Sequence, residues 1–272
     1  MDILKFEFMR RAFIVGVLLS IIIPLIGTVM VNKKNSMMGD ALSHVSLSGV
    51  AIGLILGLNP VIGAIVICCF AALSLEVFRN FFPKGSDLAT AVIMSAGIGF
   101  ASVLSDFIPG VANFDSFLFG SIVAISDFEF ICVILISISV IIMSLFTYRV
   151  LIYMSFDKLG AKLAKMPIKS VNLIFTLATA FTVSIASRTV GVFMISSLMV
   201  IPVACSVRIG KSYFQTTVFS IVFANIFTVL GLMFSFYYGL KPGGSIVIIG
   251  VAFLIFEIIG EKIFKIFKCR SL

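Results

Sequence analysis

Nine predominantly apolar runs set the terms on which this chain can fold, at approximately 12–31, 37–58, 61–78, 88–108, 129–148, 171–187, 190–207, 213–238 and 245–260. A bilayer core about 30 Å thick is crossed by roughly 20 such residues wound as a helix. Hydrocarbon offers no partner to a backbone amide, so a segment at that depth must satisfy its hydrogen bonds within itself. Composition agrees. Of 272 residues, 61% are hydrophobic and the mean hydropathy is +1.24, more apolar surface than a soluble domain of this length can hide. The expected fold is all-α, a polytopic transmembrane helical bundle of eight or nine spans. Only Arg188-Thr189 separates the sixth and seventh runs, which leaves the count open. No Pro-, Gly- or Ser-rich linker interrupts the chain, so 1–272 is read as a single transmembrane domain. The stretch 107–128 is broken by Pro109, Gly110, Asp115 and Gly120. Its segment Phe114–Gly120 is too short to span and reads as re-entrant. The first run reads as a retained helix, since Asn32-Lys33-Lys34-Asn35 follows it instead of a small-residue cleavage site.

A net charge of +8 invites comparison with nucleic-acid binders, but the basic residues lie in short loops between apolar runs, not along a polar face. That placement encodes membrane orientation. With the C-terminus inside and nine crossings, only Lys5, Arg10, Arg11, Arg188 and Lys241 of the 20 basic residues fall outside. Membrane lipid is the expected environment, and no nucleic acid is expected. The five cysteines are Cys68, Cys69, Cys132, Cys205 and Cys269. The number is odd and four sit in apolar runs, so they read as small apolar residues, not a disulfide framework.

The longest polar interruption is 149–170. Within it, Ser155–Met166 reads as a short amphipathic helix, with Ser155 as its cap, Phe156, Leu159 and Leu163 on one face, Lys158, Lys162 and Lys165 on the other, and Pro167 ending it. Such a helix lies on the inner leaflet or docks into a groove on a soluble partner.

The strongest chemical signal is Met38-Gly39-Asp40-Ala41-Leu42-Ser43-His44. His44 is the only histidine. Four residues separate it from Asp40, which stacks the two side chains on one helical face. An ionisable group deep in a membrane costs about 2.5–3.5 kcal/mol on insertion scales. The pair therefore either faces water or a cation, or forms a structural contact near the interface. Imidazole and carboxylate suit Zn²⁺, Mn²⁺ or Fe²⁺. Gly49, Gly53 and Gly57 repeat every four residues on the opposite side of the same helix, as in a ridge for close helix packing. Ser48 lies near the Asp40–His44 face and is a candidate pathway residue. Glu76 and Glu257 are expected to reach the interface, Asp87 to favour a helix start, and Asp106, Asp115, Asp127 and Glu129 to be solvated acids at the outer end. Pro24 and Pro202 mark helix kinks. Gly210-Lys211-Ser212 lacks the earlier glycine of a phosphate-binding loop, Cys205 standing in its place, so this chain is not expected to bind ATP. With one histidine there is no basis for hydrolytic catalysis.

These segments resemble the bacterial zinc-, manganese- and iron-type ABC importer permeases. Gly39-Asp-Ala-Leu-Ser-His-Val-Ser-Leu-Ser-Gly-Val-Ala51 is similar to the family hallmark Gly-Asp-x-Leu-(Ala/Ser)-His. Phe117-Leu-Phe-Gly120 and Val190–Ala204 match two further segments, with departures at Ser121 and Val203. The resemblance implies a permease subunit in the bacterial cell (inner) membrane, not an enzyme, which forms a homodimer. It implies cytoplasmic ABC ATPase subunits as partners, and an extracellular or periplasmic solute-binding protein that delivers the metal. It implies Asp40 and His44 as residues contacting transported zinc or manganese, with no permanently bound cofactor. It makes 155–166 the coupling helix to the ATPase, engaging it through Asp157, Lys158, Leu159 and Gly160. The rival readings are a proton-coupled secondary metal transporter, which inverted repeats or several mid-membrane acids would favour, and an intramembrane metalloenzyme, which needs more ligands than one histidine supplies.

Overall fold

The computed structural model describes residues 6–81, 86–108, 125–156 and 158–270. Among them the chain forms helices and no strands: α1 (Glu7–Asn32), α2 (Met37–Ile55), α3 (Pro60–Phe81), α4 (Ser86–Ser105), α5 (Asp127–Phe156), α6 (Lys158–Leu163), α7 (Ile168–Thr189), α8 (Val192–Ile209), α9 (Tyr213–Tyr238) and α10 (Pro242–Arg270). Eight of these, all but α6 and α8, are long and apolar enough to cross a membrane. The remaining apolar run folds as α8, a shorter helix that turns off α7 through Gly191 at φ 93°, a conformation glycine adopts without a Cβ penalty. The expected re-entrant stretch at 114–120 lies outside the described residues.

Local chemistry sets the helix boundaries. Asn59 Oδ1 accepts from the Val61 amide, with Pro60 at the first helical position of α3. Ser212 Oγ accepts from the Gln215 amide while Gln215 Oε1 accepts from the Lys211 amide, fixing the start of α9. At α5, Ser126 and Glu129 form a reciprocal capping box: the Glu129 amide donates to Ser126 Oγ and the Ser126 amide to Glu129 Oε2.

Ion pairs show which helix ends share a side. Arg11 at the start of α1 pairs with Asp127 at the start of α5, and Glu129 pairs with Arg188 at the end of α7. Opposite them, Lys33 at the end of α1 donates to Asn172 near the start of α7, which donates to Glu76 near the end of α3. The Tyr213 ring, just after α8, packs on Tyr148 and Phe156 at the far end of α5. The chain therefore returns through α8 from the Arg188 side to the Lys33 side. This separation of Arg11 and Arg188 from Lys33 and Arg79 agrees with the orientation drawn from the loop charges.

Burial ranks the helices. In the most apolar 18 residues of α2, 72% are buried, against 17% in α5, so α2 lies inside the bundle and α5 on its edge. On α5, Ile131, Leu135, Ile138, Ile142 and Leu145 form an exposed stripe at helical spacing. The more polar α7 sits inside. Its Thr179, Thr182, Ser184 and Ser187 are buried, each donating to a carbonyl one turn back. This satisfies hydroxyls that lipid could not. Between helices, the Ser46 and Ser187 hydroxyls meet at 2.5 Å, the kind of contact that joins membrane helices in place of a hydrophobic force.

Two expectations need correction. The helix expected over 155–166 is confined to Lys158–Leu163, because α5 continues through Phe156. Ser155 is in the last turn of α5, donating to the Leu151 carbonyl, and so does not cap α6. Glu129, expected to be a solvated acid, is buried and lies 3.0 Å from the Arg188 guanidinium.

Candidate metal site

Residues Met37–Ile55 wind as one helix from the turn after α1, placing Asp40 in the first turn of α2 and His44 one turn on. The positive end of the helix favours the carboxylate there. His44 Nε2 lies 3.7 Å from Asp40 Oδ1. That is longer than a hydrogen bond. Two donors each about 2.1 Å from one ion can stand up to about 4.2 Å apart, so a single divalent cation fits between these two atoms. The Asp40 and His44 side chains are 26% and 15% exposed, so both are half-buried within the chain.

The third member comes from α8. Ser196 Oγ donates to Asp40 Oδ1 at 2.6 Å. α8 packs close to this point: a Cβ added at Gly39 would meet the Met199 side chain at its sulfur. Ser196 was not singled out from the sequence. The signal available was the polar pair Ser196-Ser197 inside an otherwise apolar run, next to a proline-bearing stretch.

Toward the Lys33 side, a polar chain surrounds the start of α2. Lys33 Nζ donates to Asn172 Oδ1 at 3.2 Å and lies 4.8 Å from the Phe175 ring centre. Asn172 Nδ2 donates to Glu76 Oε1 at 2.7 Å, and Glu76 pairs with Arg79 at 3.9 Å. Arg79 also reaches the Met38 sulfur at 3.5 Å. Glu76, expected simply to reach the interface, is thus held in a network joining α1, α3 and α7. Glu257 lies 3.5 Å from Arg208, which also pairs with Glu261.

Of the three glycines, two pack as expected. A Cβ at Gly49 would meet the Gly63 carbonyl oxygen of α3 at 2.5 Å, and one at Gly53 the Cα of Pro60 at 3.0 Å. The face opposite Asp40 is therefore the α3 contact. Gly57 is not part of that ridge. α2 ends at Ile55, and Gly57 takes φ 67° with nothing near its Cβ position. The Leu58 amide reaches back to the Gly53 carbonyl across it, so Gly57 terminates the helix. Ser48 is buried and donates to the Val45 carbonyl. It opens on an apolar cavity of about 280 Å³ between α2, α3 and α4, lined by residues such as Ile52, Phe70 and Phe100 and by neither Asp40 nor His44. Ser48 is not brought into the Asp40–His44–Ser196 cluster.

In α6, Leu159 and Leu163 are exposed and Ala161 is buried. Gly160 is half-buried. Asp157 lies outside the described residues, and Lys158 is described only as the first residue of the helix. Cys68, Cys69, Cys132 and Cys205 are free thiols. Cys68 is buried and donates to the Leu42 carbonyl at 3.2 Å. Among the described residues no three His, Cys, Asp or Glu side chains gather as a metal cluster.

The sequence profile described as the ABC 3 transport family matches residues 5–261. A "Probable metal transport system membrane protein" of Treponema pallidum is 30% identical over 255 residues, covering 94% of this chain and 96% of that protein. A "Manganese transport system membrane protein" of Listeria monocytogenes is 28% identical over 257 residues, covering 94% of this chain and 91% of that protein. The fold is similar to the solved structure "PsaBC from Streptococcus pneumoniae in complex with Fab", with a TM-score of 0.84 and 26% identity, covering 94% of this chain and 92% of that one.

Proposed function

The chain belongs to the ABC 3 transport family, and from that membership we propose that it is the permease of an importer moving a divalent transition metal, zinc or manganese, into the cytoplasm. The single observation that carries the choice of cargo is the Asp40–His44 pair. It unites a carboxylate oxygen and the chain's only imidazole at 3.7 Å on a helix inside the bundle. Both ions accept these ligands, so the proposal covers zinc and manganese alike. The relatives named for metal transport support the same cargo class.

Transport follows from alternating exposure of this pair. The ion arrives from the Arg11–Asp127 side, delivered by a solute-binding protein that docks there. Asp40 and His44 hold it with two protein donors and leave the rest of its shell to water, weakly enough to release it. The ion leaves on the Lys33 side. ATP is hydrolysed in separate cytoplasmic subunits. These seat on α6, whose exposed Leu159 and Leu163 lie beside Gly160, and they also engage Asp157 and Lys158, next to these residues in sequence. Two copies of the chain assemble around the pathway. Movement of α6 is passed to the bundle through α5 and α7, the helices it joins, and shifts the population between outward- and inward-open states.

The test is uptake of radiolabelled metal by cells carrying the importer with His44→Ala or Asp40→Asn in the permease. Both variants are expected in the membrane at normal abundance with uptake at background. Uptake at the wild-type rate by either variant removes the proposal that this pair carries the ion.

A further inference from the structure

The oxygen that faces His44 is the same oxygen that Ser196 holds. Asp40 Oδ1 accepts from Ser196 Oγ at 2.6 Å and stands 3.7 Å from His44 Nε2. A carboxylate on the first turn of a helix rotates freely about its own side-chain bonds unless something fixes it, and in a membrane interior the fixing group must come from a neighbour. Here it comes from a different helix, through a side chain with only one torsion between its hydroxyl oxygen and the backbone.

Building on the metal-transit reading of Asp40 and His44, we propose that Ser196 is a positioning residue for the divalent cation. It orients the Asp40 carboxylate toward His44 and links the metal pair to α8. Hydrogen bonds from outside the ligand shell of a metal-binding carboxylate fix its geometry, and their loss typically weakens metal binding by roughly 10- to 100-fold. The Ser196 proton stays on its oxygen throughout. It occupies one lone pair of Oδ1 and leaves the second lone pair and Oδ2 for the ion. The link has a mechanical consequence. Ser196 sits between the Gly191 turn, at φ 93°, and Pro202 inside the helix, whose missing N–H leaves one helical hydrogen bond unmade. A shift of α8 between them withdraws the serine from Asp40 and lowers the affinity of the site, so α8 carries information about the state of the transporter to the ion.

The experiment titrates Zn²⁺ and Mn²⁺ separately into the purified full-length permease in lipid nanodiscs, for the wild type and for Ser196→Ala, Ser196→Thr and Asp40→Asn. Uptake kinetics and metal-free thermal midpoints are measured on the same variants. The inference predicts that Ser196→Ala binds roughly 10- to 100-fold more weakly, raises the KM for uptake more than it lowers the maximal rate, and unfolds at the wild-type temperature. Ser196→Thr, which keeps the hydroxyl, restores affinity. If Ser196→Ala binds as the wild type while Asp40→Asn does not, the inference fails and the transit site stands. If Ser196→Ala loses affinity and thermal stability together and Ser196→Thr rescues neither, the serine is structural and the inference also fails. If Asp40→Asn itself binds as the wild type, the transit-site reading falls and takes the inference with it.

Discussion

Glu129 and Arg188 join the start of α5 to the end of α7 through a 3.0 Å ion pair in which the Glu129 side chain is 6% exposed. The same carboxylate caps its own helix through the Ser126 amide, so one side chain fixes both a helix start and an interhelix contact. Removing one partner of a buried pair strands the other charge and costs about 3–5 kcal/mol, whereas replacing both together costs much less. Arg188→Ala is therefore expected to destabilise the purified permease severely. Glu129→Ala loses the cap as well as the pair, while Glu129→Gln keeps the cap and loses only the charge. A double-mutant cycle read by thermal unfolding checks this, with a large coupling energy between the two positions expected.

The α2–α3 contact makes a second prediction. Gly49 faces the Gly63 carbonyl at a distance no side chain tolerates, whereas Gly57 ends the helix in open space. Gly49→Leu is expected to force the helices apart, and detergent-solubilised protein should lose its single sharp size-exclusion peak. Gly57→Asn, a residue that also accepts the left-handed conformation, is expected to stay within about 0.5 kcal/mol of wild type. The two glycines repeat at the same spacing in the sequence, and this pair of substitutions separates their roles.

A third prediction concerns α6. Leu159 and Leu163 are exposed on a helix too short to be stable alone. With Leu159→Asp and Leu163→Asp combined, the permease is expected to reach the membrane and keep its metal affinity, while co-purification of the ATPase subunits and uptake both fall to background. Normal co-purification would place the ATPase contact elsewhere.

Residue chemistry explains what could be read before the fold was seen. The spans were legible because a bilayer imposes one length and one composition on every crossing segment. Asp40 and His44 were legible because a single helix places them together, so their proximity needs only the helical repeat. Ser196 was not, because its partner is 156 positions away and no local periodicity encodes which helices meet. The burial of Glu129 was missed for the same reason, although its cap was written in Ser126-x-x-Glu129. Gly57 was misread because a spacing of four continues smoothly past the end of a helix, and only the backbone conformation shows where that end falls. The start of the short helix was misplaced because α5 runs on through Ser155 and Phe156, residues that equally suit a cap and a helical turn.

In the proposed mechanism one divalent ion passes between His44 and Asp40. X-ray absorption at the metal edge, on the wild-type importer loaded with zinc or manganese and trapped with the permease occupied, tests it most directly. One imidazole nitrogen is expected in the coordination shell together with oxygens, at about 2.0–2.1 Å when the ion is zinc, with the imidazole signal absent in His44→Ala. A first shell of oxygens alone in the wild type, or sulfur from a cysteine such as Cys68 or Cys69, would contradict it.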